Sequence, residues 1–375
     1  MAHAYTPGLR VAALTVVRKA RRLPIKGEVL AKKGDRVTAD AVVARTHLPG
    51  AVQLINVASK LGLPPEDLPS VMVKKDGDPV KKGEPIATTK GFFGLFKSQV
   101  PSPCDGTMES LSTVTGQVIL REPPTPIEVD AYVDGEVVDV LPGEGAVVEA
   151  FGTFVQGIFG VGGERTGEIK VIVAGPGDVI DEGRIDASLK GKIAVGGSHI
   201  TWGALQKAMQ IGVSGIVVGG FDDPDLRRLL GKDLGVAITG SEDIATTLVL
   251  TEGFGEIAMA GSTFELLTSR EGRKASINGA TQIRAGVIRP EIVIPMPDDK
   301  ASAADAVAGH GGGLEPGSVI RVIREPHFGR LGSVTDLPNE LQVMESESKV
   351  RVLRVRFDDG SEAMLPRANV EMIER

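Results

Sequence analysis

The five histidines (His3, His47, His199, His310, His327) form no His-x-x-x-His pair, and the single cysteine, Cys104, has no partner for a tetrahedral zinc set. No Gly-x-Ser-x-Gly nucleophile turn occurs, and no phosphate loop ends in Gly-Lys-Ser/Thr. The sequence therefore assigns no catalytic residue, no metal ligand and no cofactor. What it offers for chemistry is a set of features that suit anions. Arg18, Lys19, Arg21, Arg22 and Lys26 close the first apolar run. Either they meet an anionic partner (RNA, phospholipid or an acidic protein face), or they line a solvated strand edge whose charge discourages stray pairing. The glycine-rich run 157–167 is followed by GEIKVIVAG, which reads as a strand, whereas phosphate cradling needs a helix N-terminus. A bent β connection is expected there. Gly196, Gly197, Ser198, Gly219, Gly220 and Ser241 follow predicted strands, where parallel sheets hold ligands. They are the candidates for anion or cofactor binding, set against ordinary loop and capping chemistry.

The elements that must position those loops alternate. Residues 192–195, 213–218 and 235–239 read as strands, and 201–210, 224–230 and 244–251 as helices, which predicts a small parallel α/β unit with right-handed crossovers. The rest reads as β structure with tight turns. Gly34-Asp35-Arg36-Val37 returns 43 residues later as Gly77-Asp78-Pro79-Val80, which points to an internal duplication or two intertwined halves. Between the copies, 52–61 reads as a helix stopped by Gly62, Pro64 and Pro65. Asp134-Gly135 reads as a hairpin turn between strands.

Composition agrees with many short β segments: 48 glycines, 23 prolines and only 4% aromatic residues in 375 positions. A net charge of -7 means that any contact with nucleic acid must come from a local patch. One cysteine excludes an intramolecular disulfide, so a reducing, cytoplasmic setting is expected. No run of about 18 apolar residues is present, so no transmembrane segment is expected.

Three resemblances follow. Gly77 to Ala87, then Ser102-Pro103-Cys104-Asp105-Gly106, resembles the two halves of biotinyl/lipoyl-like barrel-sandwich hybrids. Where carrier domains hold a modifiable lysine, this chain has Thr88-Thr89-Lys90 and then a loop with Phe92, Phe93 and Phe96. That loop, rimmed by Lys90 and Lys97, either docks on a protein partner or a membrane surface or folds back as a plug. The α/β region, with Leu189 to Ile193 leading into its first strand, resembles swivelling α/β domains. From Gly317 onward the chain resembles a KOW-type SH3-like barrel, as in NusG-like transcription factors and ribosomal proteins; Gly317, Val319, Gly329, Gly332, Val334, Asp359 and Gly360 are among the residues of that likeness. This resemblance implies contact with a protein partner, RNA, the ribosome or RNA polymerase through Arg321, Arg324, His327, Phe328 and Arg330. The module's nine Lys/Arg stand against ten Asp/Glu, so a protein partner fits at least as well as a phosphate backbone.

The expected architecture is multidomain and mainly β with one α/β domain. It comprises barrel-sandwich hybrid modules at 1–125, a second β module at 126–170, a small parallel, swivelling-like α/β domain at 171–297, a linker at 298–316 and an SH3-like β-barrel at 317–375. The expected role is a non-enzymatic scaffold or adaptor in transcription or translation. The alternatives are a peripheral subunit of a membrane-associated or multi-enzyme complex, and an enzyme or ligand-binding protein using the α/β domain.

Overall fold

A computed structural model describes residues 9–89, 98–231, 240, 242, 244–282, 288–297, 314–322, 326–327, 330–338, 342–343, 349–357 and 359–372. The chain is mainly β, arranged in several sheets, with four α-helices among the described residues. Those are α1 (Val57–Leu61), α2 (Trp202–Ile211), α3 (Asp223–Leu230) and α4 (Gly261–Thr268).

The repeat at 34 and 77 is a structural duplication. In each copy the glycine takes a left-handed φ (91° at Gly34, 90° at Gly77), which only glycine adopts freely. The aspartate that follows accepts from the backbone three residues back, Asp35 from Lys32 N–H and Asp78 from Lys75 N–H, both at 2.7 Å. Gly34 N–H donates to the Val137 carbonyl and Gly77 N–H to the Met108 carbonyl, again both at 2.7 Å. The strand pairings repeat residue by residue. Val37 faces Gly135 as Val80 faces Gly106, and Ala44 faces Val129 as Ala87 faces Val100. The first halves are thus 43 residues apart, while the second halves come in reverse order with a spacing of 29. One unit is therefore nested inside the other. The outer unit is built from 28–48 and 125–141, and residues between its strands Val42–Leu48 and Thr125–Asp130 form the inner unit.

The inner unit has its own core of Ile55, Leu68, Val80, Ile86, Val100, Met108, Val118 and Leu120. Its four-stranded sheet runs Val52–Asn56, Gln117–Arg121, Gly106–Leu111, Pro79–Val80. Here the expected helix over 52–61 is corrected: only Val57–Leu61 is helical. Val52–Asn56 alternates outward and inward and pairs with Gln117–Arg121, while the Asn56 side chain caps α1 by accepting from Ser59 N–H. Val-Gln-Leu-Ile fits a pleated surface, and the cap starts the helix five residues late.

The outer unit leans on a large sheet that begins with Val11–Arg22 and ends with Glu291–Pro295. Val11–Arg22 runs antiparallel along Gly145–Gln156, which also pairs with Gly135–Leu141 and Glu291–Pro295. This continuous ladder crosses the boundaries expected at 125/126 and 170/171. The expected hairpin at Asp134-Gly135 is corrected. Thr125–Asp130 pairs with Val42–Leu48, and the reversal into Gly145–Gln156 falls at Gly143 (φ 70°). The sheet then curls. After Gly152–Gln156 has paired with Glu291–Pro295, Gly157 N–H donates to the Pro290 carbonyl and Ile158 N–H to the Leu250 carbonyl, both at 2.8 Å. Phe159–Val161 continues along Thr247–Phe254. The glycine-rich run, expected as a bent β connection, is itself mostly strand: Phe159–Val161 and the start of Glu164–Val171, with the turn at Gly162 (φ 87°).

The parallel part holds Glu164–Val171, Ile193–Val195, Gly215–Phe221 and Thr247–Phe254, with α2 and α3 in the crossovers. Both faces are buried and the side chains alternate. Ala194, Ile216, Val218, Leu248 and Leu250 pack towards the helices, whereas Ile193, Val195, Val217 and Val249 meet Phe264 and Leu267 of α4. The helix expected at 244–251 is corrected to a strand, because Thr-Leu-Val-Leu-Thr fills both faces at once. The strand expected at 235–239 lies outside the described residues.

In the C-terminal region a five-stranded sheet runs Glu362–Pro366, Val352–Phe357, Leu331–Asp336, Val319–Val322, Val370–Met372. It encloses Ile320, Val334, Leu353, Val355, Leu365 and Val370. The hairpin at Asp359-Gly360 is present, with Gly360 at φ 81° and Gly360 N–H donating to the Phe357 carbonyl. Of the expected linker, 298–313 lies outside the described residues. Among the described residues no helix is long and apolar enough to cross a membrane.

Candidate functional site

The strand-end residues come together as a packed junction. A methyl group on Gly219 would sit 1.9 Å from the Ile257 carbonyl oxygen, and one on Gly220 2.0 Å from that of Gly255. On Gly196 it would meet the Ile180 side chain at 2.4 Å, and on Gly197 the Asp178 carbonyl oxygen at 2.5 Å. Ser198 is buried, and its hydroxyl donates to the Gly177 carbonyl at 2.9 Å. The chain's own backbone at 175–178 and 255–259 and the Ile180 side chain lie directly against these glycines. Close backbone approach explains the glycines. Ser241 lies outside the described residues. Next to this junction His199 stacks on Phe221, with its Nε2 3.7 Å from the Asp222 carboxylate.

Four of the five residues of the basic cluster pair within the chain. Arg18 pairs with Glu149 at 2.7 Å, Lys19 with Glu291 at 2.5 Å, Arg21 with Glu164 at 2.6 Å and Arg22 with Glu144 at 2.9 Å. Neither an anionic partner nor bare solvation describes Lys19 and Arg21, which alternate with Arg18 and Arg22 and face inward. They converge on Tyr132, with Lys19 Nζ 5.9 Å and the Arg21 guanidinium 5.3 Å from its ring centroid. Tyr132 is buried and takes a left-handed φ of 70°, and it is the one non-glycine residue to do so among the described residues. Its phenolic oxygen is buried beside the Glu291 carboxylate. Burial, with the Glu291 and Glu164 charges nearby, pushes the phenol well above its usual value. Backbone strain at Tyr132 and the largely buried charges around it make this a constrained polar cluster. The sequence reading saw the cations but missed Tyr132, Glu164 and Glu291, which lie more than 100 positions away and share no motif with them.

The C-terminal candidates divide. Arg321, expected at the surface, is corrected to a buried residue. It is 5% exposed and its guanidinium lies 2.7 Å from the Glu252 carboxylate, which is itself 8% exposed. Strand alternation sends Ile320 and Val322 into the sheet's own core and Arg321 to its other face, where Thr247–Phe254 covers it. The Arg330 guanidinium sits over the Phe357 ring, 3.8 Å from its centroid, and pairs with Asp359 at 2.6 Å. His327 meets the same ring at 5.2 Å. A hydrogen bond from Ser361, with Arg330 nearby, holds the Asp359 carboxyl below the usual range. Arg324 and Phe328 lie outside the described residues, as do Phe92, Phe93 and Phe96.

An apolar surface that the sequence reading did not single out lies on the inner unit. Val52 and Leu54 are 47% and 62% exposed on the outward face of Val52–Asn56, the edge strand of its sheet. Ile119 faces Leu54 across the ladder. Val73 and Val114 of the same unit are also exposed, so four of the nine exposed large apolar side chains among the described residues belong to it. Cys104 is partly buried, and burial raises its thiol. Among the described residues no cluster of three His, Cys, Asp or Glu side chains is placed to hold a metal. A scan of protein-family models finds no match to the chain, and no curated protein matches it.

Proposed function

We propose that the protein is a non-enzymatic scaffold or adaptor working in a nucleoprotein setting, transcription or translation, in the cytoplasm. In this reading the two nested units are barrel-sandwich hybrids, the curled α/β part is a swivelling-like domain, and the C-terminal sheet is a KOW-type SH3-like barrel. The observation that supports it best is the inner unit. It has a core of its own, and it presents Val52 and Leu54 on an uncharged edge strand. Exposed apolar residues on an unpaired edge favour addition of a partner's strand, with backbone hydrogen bonds supplying affinity. A second contact, to protein or RNA, runs through His327 and Arg330 at one end of the C-terminal barrel. Phe92, Phe93, Phe96, Arg324 and Phe328 remain partner-binding candidates by their sequence position.

Affinity capture from cell extract, paired with RNA crosslinking, tests this. The expected result is one set of proteins held by the wild type and lost in Leu54→Lys, with crosslinked RNA reduced by Arg330→Ala. Co-sedimentation with anionic liposomes, lost in Phe92→Ser, together with absent RNA enrichment, would instead favour a peripheral subunit of a membrane-associated complex.

A further inference from the structure

We propose that the open cavity bordered by α4, the start of the first strand and the C-terminal sheet is a binding site for a small, uncharged and mainly apolar molecule. The cavity has a volume of about 410 Å³, within the span of small-ligand pockets. Val11, Ala13, Ala260, Leu266 and Leu331 supply its apolar lining, with Thr263 among them. Three parts of the chain that are distant in sequence meet there, and junctions between packed units are where such sites occur.

The charge in its walls selects the ligand. Arg321 lines the cavity, but Glu252 lies 2.7 Å from its guanidinium, so the two buried charges cancel. The other oxygen of Glu252 accepts from Ala260 N–H at 3.0 Å, ahead of the first turn of α4, so that carboxylate is committed on both sides. Among the described lining residues the one further charge is Glu265, which is exposed and repels anions. Ser262 and Ser269 are exposed at the same rim. Ser269 donates to the Leu266 carbonyl at 2.6 Å, which leaves its oxygen able to accept. An aliphatic chain ending in a hydroxyl or amide satisfies this lining; a carboxylate or phosphate head does not. An occupant touches α4 and the C-terminal sheet together, and it stabilises their packing by mass action. This inference stands apart from the adaptor reading.

The test titrates the full-length protein with the neutral fluorophore N-phenyl-1-naphthylamine and displaces it with 1-octanol or with octanoate. Ala13→Phe and Ser262→Phe each place a ring in the cavity from an exposed position, so both variants retain the fold, checked by circular dichroism. The expected result is saturable binding at one site, at least tenfold weaker in both variants, with 1-octanol displacing the probe at lower concentration than octanoate. No saturable binding, equal binding in the filled variants, or stronger displacement by octanoate would each overturn the proposal.

Discussion

Replacing Lys19 by methionine keeps the length of the side chain and removes its charge, which isolates the work of the cluster around Tyr132. Lys19 and Glu291 are 20% and 11% exposed at the side chain and lie 2.5 Å apart, so solvent screens the pair little. Lys19→Met leaves the Glu291 carboxylate buried without its cation, and breaking a buried pair from one side costs about 3–5 kcal/mol. The ammonium also lies 5.9 Å from the Tyr132 ring and 5.4 Å from that of Phe154, contacts that add about 1 kcal/mol. The expected loss is about 4 kcal/mol, read from urea unfolding followed by circular dichroism. The double variant Lys19→Met/Glu291→Gln removes both charges and should recover at least half of that loss, because the penalty comes mostly from the orphaned carboxylate. A loss below about 0.5 kcal/mol for Lys19→Met, the usual range for surface positions, would show that the pair is solvated and the reasoning wrong.

Gly34→Ala and Gly77→Ala force a left-handed φ of 91° and 90° on a residue with a side chain, with nothing within 4 Å of the added carbon, so each should lose about 1–2 kcal/mol. If the duplication is structural, the two losses agree within error in thermal unfolding, and a large difference counts against equivalence. Gly219→Ala drives a methyl group to 1.9 Å from the Ile257 carbonyl and should destabilise by about 2–3 kcal/mol; an unchanged unfolding midpoint would mean that the strand ends are open. In a Tyr5→Phe background, the absorbance of Tyr132 should show no ionisation at the pH where a free phenol titrates. The folded phenol lies above its unfolded value, so the native state holds the proton longer. Stability is therefore retained below about pH 10 and falls as pH rises beyond it. Titration of the native protein at the free-phenol value would contradict the burial.

The first-half repeat was legible because Gly-Asp turns demand both residue types: glycine for φ and aspartate for the backbone N–H three residues back. The second-half repeat was harder to see, since Asp134-Gly135 and Asp105-Gly106 share two letters and run in the opposite order along the chain. That nesting also hid the true partner of Thr125–Asp130, which lies across an inserted unit. The parallel strands were legible from their apolar runs between glycines. Residues 247–254 were not, because a run buried on both faces has no period that separates strand from helix. At the candidate sites the sequence showed cations but not their partners. Arg321 and Glu252 are 69 positions apart, and only the fold makes them an ion pair.

The most direct test of the adaptor account is quantitative affinity capture with the full-length protein and with Leu54→Lys, a change at an exposed position that leaves the inner core untouched. The account predicts that proteins captured stoichiometrically by the wild type fall at least tenfold in the variant, while thermal stability is unchanged. Identical capture by both proteins would contradict it.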